Sequence, residues 1–466
     1  MLLEFLSNLL HHDTVAAFRK QIGGIVVEPQ DSTYAEARKV YNEMIDRKPR
    51  LLVYCHDAAD VVMAVAFARD NGLRTSIRGG GHNAGGLGIC DDGVVIDLSR
   101  MNSVQVNAAE KTVRVGGGAK WAEVDAATHP FGLAVPSGII STTGVGGLTL
   151  GGGLGYLTRR FGLTIDNLLA ADMVLADGRS VTASKDQNSD LFWAIRGGGG
   201  NFGVVTSFLF QAHSVSTVFA GPMLWELSQA PAVMKWFGEF VVTAPEEMNG
   251  FFAFMTVPPG PPFPEALHLK KMCAIVWCCV GGEEQANSLL NPLRAKLPPA
   301  LELVGAMPFP VLQGMFDALY PPGLHWYWKA DFVKELSDEA IALHLEHAQK
   351  LPTMHSSMHL YPVNGAAHRV KNSETAWSYR DAVFSQVIVG VDPDPENCGR
   401  ITDWAKAYYE SLHPYGAGGA YVNFMMEEGE DRIRASYREN YDRLAAVKKV
   451  YDPTNFFRNN QNIQPA

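Results

Sequence analysis

The chain has 466 residues, of which 47% are hydrophobic and 19% are charged, a composition that excludes an intrinsically disordered protein and suffices for two or three domains. The net charge of −10 and the lack of a Lys/Arg-rich run argue against nucleic acid as a partner and favour a small uncharged or cationic substrate. No apolar run reaches the roughly 18 residues of a membrane span, so we expect no membrane partner.

Short strands and helices alternate through the first part of the chain. The predicted strands are Leu51 to Cys55, Thr75 to Arg78 and Val94 to Leu98, followed by a hairpin around Asn107–Lys111. Asp57 is placed to cap a helix that ends near Gly72, and a second helix is predicted from Trp121 to His129. Short elements that alternate in this way indicate an α+β or α/β fold class.

The sequence pattern changes near residue 213, where glycine becomes rarer and proline and aromatic residues become denser. Strand patterns such as Ala274 to Val280 and Ala382 to Val389 alternate there with amphipathic helices such as Asp338 to Leu351. The last fifty residues predict a strand from Ala420 to Met426 and a charged helix from Asp431 to Val450. We therefore predict three segments: 1–212, 213–415 and 416–466.

Cysteine and histidine spacing predicts no metal site. The six cysteines form no C-x-x-C pair, and adjacent Cys278 and Cys279 point to opposite faces of a predicted strand, so we expect reduced, mostly buried thiols. His344 and His347 lie one turn apart on a predicted helix, but the nearby acids have no fixed spacing that would complete a site. We interpret this pair as part of a solvated helix face.

The expected location is intracellular. Met1–Leu6 lacks the basic residues of a secretory signal, and the chain contains no N-glycosylation sequon. These features predict a soluble cytoplasmic protein, although a trimmed signal peptide would leave the same sequence.

Glycine is the unusual residue in the composition, because 26 of the 45 glycines lie between Gly79 and Gly203, about a quarter of the chain. Three clusters stand out, at residues 79–81, 138–155 and 197–203. The first directly follows a predicted strand, and a glycine turn there exposes successive backbone N–H groups, which suits a pyrophosphate.

Gly198, Gly200 and Gly203 match the spacing of a Rossmann dinucleotide loop. Such a loop must open a helix, whereas the β-branched run after Gly203 predicts a strand, so the match fails on its context. The chain contains no P-loop motif and no G-x-S-x-G elbow, so neither a P-loop NTPase nor an ordinary α/β-hydrolase is supported.

Six segments together resemble the FAD-linked oxidases of the berberine-bridge-enzyme-like branch, which have a vanillyl-alcohol-oxidase or PCMH-type FAD-binding domain. The resemblance covers almost the whole chain, and the order and spacing of the segments are more specific than any one of them. The segments are Arg78–His82, Gly144–Gly153, Asp166–Asn167, Arg196–Gly203, Tyr421–Phe424 and Tyr451–Asn462.

The resemblance implies an α+β fold in which the N-terminal part and the C-terminal segment form one FAD-binding domain. A substrate domain with an antiparallel sheet flanked by helices is inserted between them. It also implies that His82 bonds covalently to the flavin 8α-methyl group, which raises the oxidising power of the flavin. The other FAD contacts that it implies are Arg78, Gly79, Gly80, Gly81, Asn83, Pro136, Ser137, Gly138, Thr142, Thr143, Gly144, Gly147, Gly152, Gly153, Asn167, Gly203, Val205, Asn423, Asn460 and Asn462.

Two positions depart from the family pattern or bear on oxygen. Many relatives form a second flavin bond through a cysteine, and Ile140 stands at that position here, so we expect attachment through His82 alone. Thr143 stands where relatives control the access of oxygen, and it is smaller than a blocking leucine. The resemblance therefore favours an oxidase that uses O₂ and releases hydrogen peroxide.

The catalytic base is not fixed by the sequence, because Phe424 replaces the tyrosine that supplies the base in family members that oxidise sugars and phenols. A phenyl ring cannot accept a proton, so deprotonation must fall to another group, to water, or to nothing. A nearby cation such as Lys329 could lower the pKa of a tyrosine. The candidates are Tyr421, Tyr379, Tyr327, Lys329 and Gln386.

The sequence thus predicts an FAD-dependent oxidoreductase that transfers hydride from an alcohol, a sugar or a phenolic secondary metabolite to flavin N5. Two alternatives stay open. One is a flavin dehydrogenase with an acceptor other than oxygen, and the other is a flavin-binding protein in which Phe424 impairs alcohol oxidation.

Overall fold

A computed structural model describes residues 12–466. The prediction about Met1–Leu6 therefore lies outside the described residues. Within the described part, the strands β1 to β19 are, in chain order, Ile25–Val27, Leu51–Tyr54, Thr75–Arg78, Val94–Asp97, Val104–Asn107, Thr112–Gly116, Leu133–Ala134, Leu168–Val174, Ser180–Ser184, Val204–Gln211, His213–Ser214, Thr217–Glu226, Met248–Thr256, Lys271–Cys279, Leu301–Glu302, Gly305–Pro308, His325–Val333, Ser357–Pro362 and Phe384–Asp392.

Helices connect and cover these strands. The α-helices are His12–Gln21, Tyr34–Ala37, Ala58–Asp70, Trp121–Thr128, Val145–Gly151, Thr158–Phe161, Ser189–Ile195, Ala230–Thr243, Gly282–Lys296, Phe309–Gln313, Asp338–Gln349, Ala366–Arg369, Cys398–Leu412, Glu430–Tyr437 and Asn440–Tyr451. None of the helices within residues 12–466 combines the length and the apolar character that crossing a bilayer requires.

The first sheet has four strands in the order β1-β2-β4-β3, with β2, β4 and β3 parallel and β1 antiparallel to β2. The side chain of Asp57 accepts a hydrogen bond from the Asp60 N–H group and caps the helix Ala58–Asp70, as predicted. The second sheet is antiparallel, in the order β5-β6-β10-β8-β9. Its central strand β10 confirms that a strand follows Gly203.

The third sheet is the largest and is antiparallel throughout, in the order β15-β12-β14-β13-β18-β19-β17, with β16 paired to β12. Both of its faces are buried. One face packs under helices such as Ala230–Thr243 and carries Phe252, Ile275 and Ile388. Phe251, Val276 and Val389 lie on the other face and belong to a different core cluster.

Two predictions about the C-terminal segment are wrong. The residues from Ala420 to Met426 form no strand, since a short 3₁₀ turn occupies Val422–Phe424. The predicted single helix is divided in two, because Arg438 takes the left-handed backbone conformation with φ of 46°. The two helices are Glu430–Tyr437 and Asn440–Tyr451, and each buries its own set of side chains.

The structure also shows the environments of the cysteines and of the pair His344 and His347. All six cysteines are free, and Cys278 and Cys279 lie in core clusters on opposite faces of β14, as predicted. His344 and His347 do not form a solvated face, since His344 Nδ1 lies 2.7 Å from Tyr408 Oη and His347 Nε2 lies 3.0 Å from Ser411 Oγ. They join two helices across a buried contact. Within residues 12–466, no group of three His, Cys, Asp or Glu side chains is arranged to hold a metal.

A buried ion pair fixes the end of the chain. Lys448 Nζ lies 2.7 Å from Asp452 Oδ2, and both side chains are fully buried. The same ammonium donates to the carbonyl oxygens of Asn201 and Phe457 at 2.6 and 2.9 Å. These three bonds satisfy the charge and tie the last residues to the third glycine cluster.

We predict that Lys448→Met lowers the thermal stability of the protein, by roughly 3–5 kcal/mol of unfolding free energy, because it leaves the Asp452 carboxylate buried without its cation. Scanning calorimetry measures the change in Tm. Lys449→Met, at the exposed neighbouring position, is the control and should leave Tm nearly unchanged. Equal effects of the two substitutions would contradict this role of the ion pair.

Candidate active site

One large cavity of about 360 Å³ lies where the glycine turns face the third sheet. One side of the cavity is lined by the backbone of the glycine clusters and by the last residues of the chain. Its other side is lined by residues of β13, β14, β17, β18 and β19. A cavity of this size suits a bound small molecule.

The backbones of Gly80 and Gly144 are in direct contact at the edge of this cavity. A Cβ atom added at Gly80 would lie 2.5 Å from the amide nitrogen of Gly144, so neither position accepts a side chain without a backbone shift. The second glycine cluster is also bonded to the loop that precedes the helix Trp121–Thr128, since the Val145 N–H group donates to the Ala119 carbonyl at 2.8 Å. The first and second glycine clusters therefore form one continuous wall.

Most of the predicted cofactor residues line the cavity, and the others lie behind its wall. Those that line it are Arg78, Gly79, Gly80, Gly81, His82, Asn83, Gly138, Ile140, Thr143, Gly144, Gly147, Gly203, Val205, Asn423 and Asn460. Pro136, Ser137, Thr142, Gly152, Gly153, Asn167 and Asn462 do not line it. Several of these hold the wall in place: the Asn167 amide donates to the carbonyls of Phe161 and Leu163.

His82 is held on two sides. Its ring stacks on Tyr41 with 3.9 Å between centroids, and its Nε2 lies 3.1 Å from Thr142 Oγ1. Burial lowers the pKa of His82 to about 3, and the charge of Lys120 adds to the shift. The imidazole is therefore neutral at physiological pH, and Thr142 and Tyr41 fix its orientation.

The C-terminal asparagines provide an independent test of whether this wall fits FAD. The Asn459 amide donates to Ser76 Oγ at 2.7 Å, and the Asn460 amide donates to the Gly200 carbonyl at 3.1 Å. Among the described residues that line the cavity, the buried side-chain oxygens of Asn459 and Asn460 and the Tyr437 hydroxyl have no hydrogen-bond partner. Buried oxygens of this kind are expected to accept from a ligand. FAD, with its hydroxyl and N–H donors, fits these acceptors and the bare glycine wall.

The rest of the cavity is rich in aromatic and aliphatic side chains and carries no free charge. No Lys, Asp or Glu is present among its lining residues within 12–466. Arg78 lines the cavity, but its Nε lies 2.5 Å from Asp97 Oδ2 in a buried ion pair, so its charge is neutralised. The wall opposite the glycines includes Phe251, Trp326 and Trp328.

Of the predicted catalytic residues, Tyr421 lines the cavity. Its hydroxyl oxygen accepts hydrogen bonds from the Gly153 N–H group at 2.9 Å and from the Asn423 amide at 2.8 Å. Burial raises the pKa of Tyr421 to about 12. Because burial keeps this hydroxyl protonated at neutral pH, Tyr421 is a neutral phenol and not a ready proton acceptor.

The other four candidates lie outside the cavity, which corrects the sequence-based prediction. Successive strand residues face opposite sides of a sheet, and on β17 and β19 it is Trp326, Trp328, Val387 and Val389 that face the cavity. Tyr327, Lys329 and Gln386 therefore lie on the far side. Lys329 pairs with Glu428 at 3.3 Å on that side.

Tyr379 is also directed away from the cavity. Its ring stacks on Phe332 at 4.3 Å, and its hydroxyl donates to the Ala435 carbonyl at 2.9 Å. Tyr379 therefore packs the helix Glu430–Tyr437 against the third sheet.

The sequence analysis missed the polar side chains of β18. Ser357, His359 and Tyr361 line the cavity, together with Tyr320 from a loop. The signal for them is an alternation of polar and apolar residues in the run Ser357 to Pro362, which predicts a strand with one polar face. Asn459 and Gln461 are further lining residues that motif matching did not select.

We predict that two glycine substitutions separate folding from cofactor binding. Gly80→Ala should lower Tm, because its methyl group meets the Gly144 backbone. Gly147→Ala should keep the Tm of the apoprotein, since no atom lies within 4 Å of its added Cβ, but the methyl group would occupy the wall that lines the cavity and reduce the flavin bound per chain. Tm and visible flavin absorbance measure the two effects, and normal flavin content in Gly147→Ala would contradict this placement.

Two family models match the chain. The model described as FAD binding domain matches residues 49–184, and the model described as berberine and berberine like matches residues 420–464. The two matched segments contain the first two glycine clusters and the C-terminal asparagines. They meet at the cavity described above.

Relatives match along nearly the whole chain. An FAD-linked oxidoreductase of Dictyostelium discoideum is 31% identical over 456 residues, covering 97% of each chain. The (R)-6-hydroxynicotine oxidase of Paenarthrobacter nicotinovorans is 30% identical and covers 95% of this chain and 97% of its own. Among solved structures, glucooligosaccharide oxidase from Acremonium strictum, with a 6-S-cysteinyl, 8α-N1-histidyl FAD, has a TM-score of 0.85 at 22% identity and covers 97% of this chain and 99% of its own.

The predicted fold class is confirmed by these comparisons: mixed helices and antiparallel sheets arranged as in the PCMH-type FAD oxidases. The match to relatives that are themselves FAD-linked oxidoreductases shows that the protein is an enzyme and that FAD is its cofactor. The chain belongs to the FAD-linked oxidoreductase family of the berberine-bridge-enzyme-like type.

Proposed function

We propose that this enzyme is an FAD-dependent oxidase of uncharged, ring-bearing alcohols, with O₂ as its electron acceptor. The observation that supports this most is the composition of the cavity, which has a glycine wall on one side and an aromatic, uncharged wall on the other. A cation would require a carboxylate, and no Asp or Glu is present among the described lining residues.

The glycine wall and the C-terminal asparagines would hold the cofactor. Residues 79–81, Gly144 and Gly147 allow a close approach of the backbone, while Asn459 and Asn460 offer acceptor oxygens. FAD bound there would supply a hydride acceptor at flavin N5. The chain itself contributes the orientation of the substrate between aromatic rings and the exclusion of water.

We further propose that His82 bonds the flavin 8α-methyl group through Nδ1. The neutral imidazole, stacked on Tyr41 and oriented by Thr142, is a nucleophile already in position. The histidyl bond named for glucooligosaccharide oxidase is of the same type. Ile140 lines the cavity and has no nucleophilic atom, so a second bond at this position is not expected.

The proposed acceptor, O₂, is supported by the residue at position 143. Thr143 lines the cavity beside the Gly80–Gly144 contact, and its short side chain leaves room for O₂. The acceptor distinguishes an oxidase from a dehydrogenase, and the experiment below tests it.

We also propose the division into segments 1–212, 213–415 and 416–466, with the middle one as the substrate domain. The third sheet, which starts at Thr217 and ends at Asp392, lies between the two segments that the family models match.

The six free cysteines suit a reducing, intracellular compartment.

We predict that cinnamyl or veratryl alcohol, mixed anaerobically with the holoenzyme, bleaches the visible absorbance of the flavin, whereas cellobiose does not. The reason is that the uncharged aromatic wall suits a ring and offers few partners to a sugar. On admission of air, colour should return faster than turnover, and peroxide should form in equimolar amount to the aldehyde.

Three results would contradict this function. Reoxidation slower than turnover would indicate a dehydrogenase with another acceptor. Bleaching by cellobiose alone would exclude the ring-bearing substrate. No bleaching by any alcohol would support a flavin-binding protein without this activity.

A further inference from the structure

The cavity needs a proton acceptor near Phe424, because an alcohol that loses hydride must also lose its hydroxyl proton. Phe424 cannot take it. The Tyr421 oxygen accepts from Gly153 and Asn423, and among the described residues no hydrogen-bond acceptor is placed to receive its own phenolic proton. Tyr361 lies next to Phe424, with 5.7 Å between their ring centroids. It comes from a different element, the strand β18, in the third sheet.

The side chains of β18 alternate between the two faces of the sheet. Ser357, His359 and Tyr361 line the cavity, whereas Met358 and Leu360 are buried in the core under the helices. The neighbouring strands fix this register, since His359 pairs with Ala253 on one side and Val387 on the other. The two polar rings are therefore held on the cavity face by the ladder itself.

His359 and Tyr361 form a hydrogen-bonded pair, with 2.6 Å between His359 Nδ1 and Tyr361 Oη. Burial lowers the pKa of His359 to about 4 and raises the pKa of Tyr361 well above its ordinary value. At neutral pH the pair is thus a neutral imidazole and a neutral phenol. With the imidazole proton on Nε2, Nδ1 accepts from the phenol, and the phenolic oxygen keeps lone pairs for a ligand hydroxyl.

The ionisable groups around this pair are also uncharged. Tyr320, from the loop before β17, lines the same cavity, and burial raises its pKa to about 12. Tyr156 packs behind Phe251, and burial raises its pKa as well. His355 lies beyond Tyr320, and its carbonyl oxygen accepts a hydrogen bond from the Tyr320 hydroxyl at 3.3 Å. Burial lowers the pKa of the His355 imidazole. No fixed charge among the described lining residues competes with the pair for a proton.

We propose that Tyr361 accepts the hydroxyl proton of the substrate and passes its own phenolic proton to His359 Nδ1. The pair thereby replaces the base that a tyrosine at position 424 would supply. The inference rests on the proposed alcohol oxidation. In that step the substrate O–H and C–H bonds break and a C=O bond forms. The hydride carries two electrons to oxidised FAD, and the released proton resides on the imidazole. Tyr361 is the catalytic residue, and His359 is a positioning residue that acts through it.

The first test measures anaerobic flavin reduction by cinnamyl alcohol in Tyr361→Phe and His359→Asn. Each should slow the reduction by roughly 10²–10⁴-fold. Leu360→Met, on the opposite face of the same strand, is the control for strand integrity and should stay close to the wild-type rate. A rate within threefold of wild type in Tyr361→Phe would overturn the proposal.

The pH dependence separates proton transfer from a structural role. The wild-type rate should be independent of pH near neutrality and fall only as the pH drops towards about 4, where protonated His359 can no longer accept. In His359→Asn the amide can still bond to Tyr361 but cannot take a proton. Its residual rate should therefore rise with pH, as tyrosine loses its proton to solvent. A residual rate that does not change with pH would assign His359 a purely structural role.

The second test uses ligands that have no hydride to give. 4-Nitrophenol should bind the wild-type holoenzyme through its hydroxyl, and Tyr361→Phe should weaken that binding about tenfold, as expected for one lost hydrogen bond. 4-Nitroanisole lacks the proton and should bind wild type and variant within twofold.

Equal weakening of both ligands would show that Tyr361 only fills space. If wild-type enzyme oxidises no alcohol, the proposed function fails, and the nitrophenol comparison still decides whether the pair receives a ligand hydroxyl.

Discussion

The contact between the Gly80 and Gly144 backbones is the constraint on which the cofactor wall depends. No side chain fits between these two segments, so the loop after β3 and the helix that begins at Val145 are held at a fixed separation. That separation places His82 against Thr142 and brings Ile140 and Thr143 to the cavity. The buried Lys448–Asp452 pair closes the same wall from the C-terminal side.

The second constraint is the register of the third sheet. Because side chains alternate between its faces, the pairing of β13, β18 and β19 decides which residues meet the cavity. A neutral histidine and a neutral tyrosine are placed there, while Lys329 and Gln386 fall on the far side with Glu428 and Asp331. The result is a cavity without free charge, in which a polar pair on one strand faces an otherwise apolar wall.

The sequence allowed the glycine wall and most short strands to be predicted, since glycine turns, the Asp57 cap and β-branched runs are local signals. The face of each strand in the third sheet could not be predicted, because both faces are buried, so strands such as β14 and β19 lack a regular alternation of polar and apolar residues. For this reason the sequence predicts Gln386 and Tyr327 as catalytic candidates, although both face away from the cavity, and does not single out Tyr361, which faces it. The state of Tyr421 was equally hidden, because its partner Gly153 lies far from it in the sequence.

The central claim is that one flavin occupies this cavity and is bonded at His82, and peptide mapping tests it most directly. Trypsin cleaves after Arg78 and Arg100, so the bond would leave the flavin on the fragment Gly79–Arg100. We predict that this fragment alone, from denatured holoenzyme, carries the flavin mass and its visible absorbance, and that His82→Ala yields the unmodified fragment. Release of the flavin on denaturation of the wild type, or flavin on any other fragment, would contradict it.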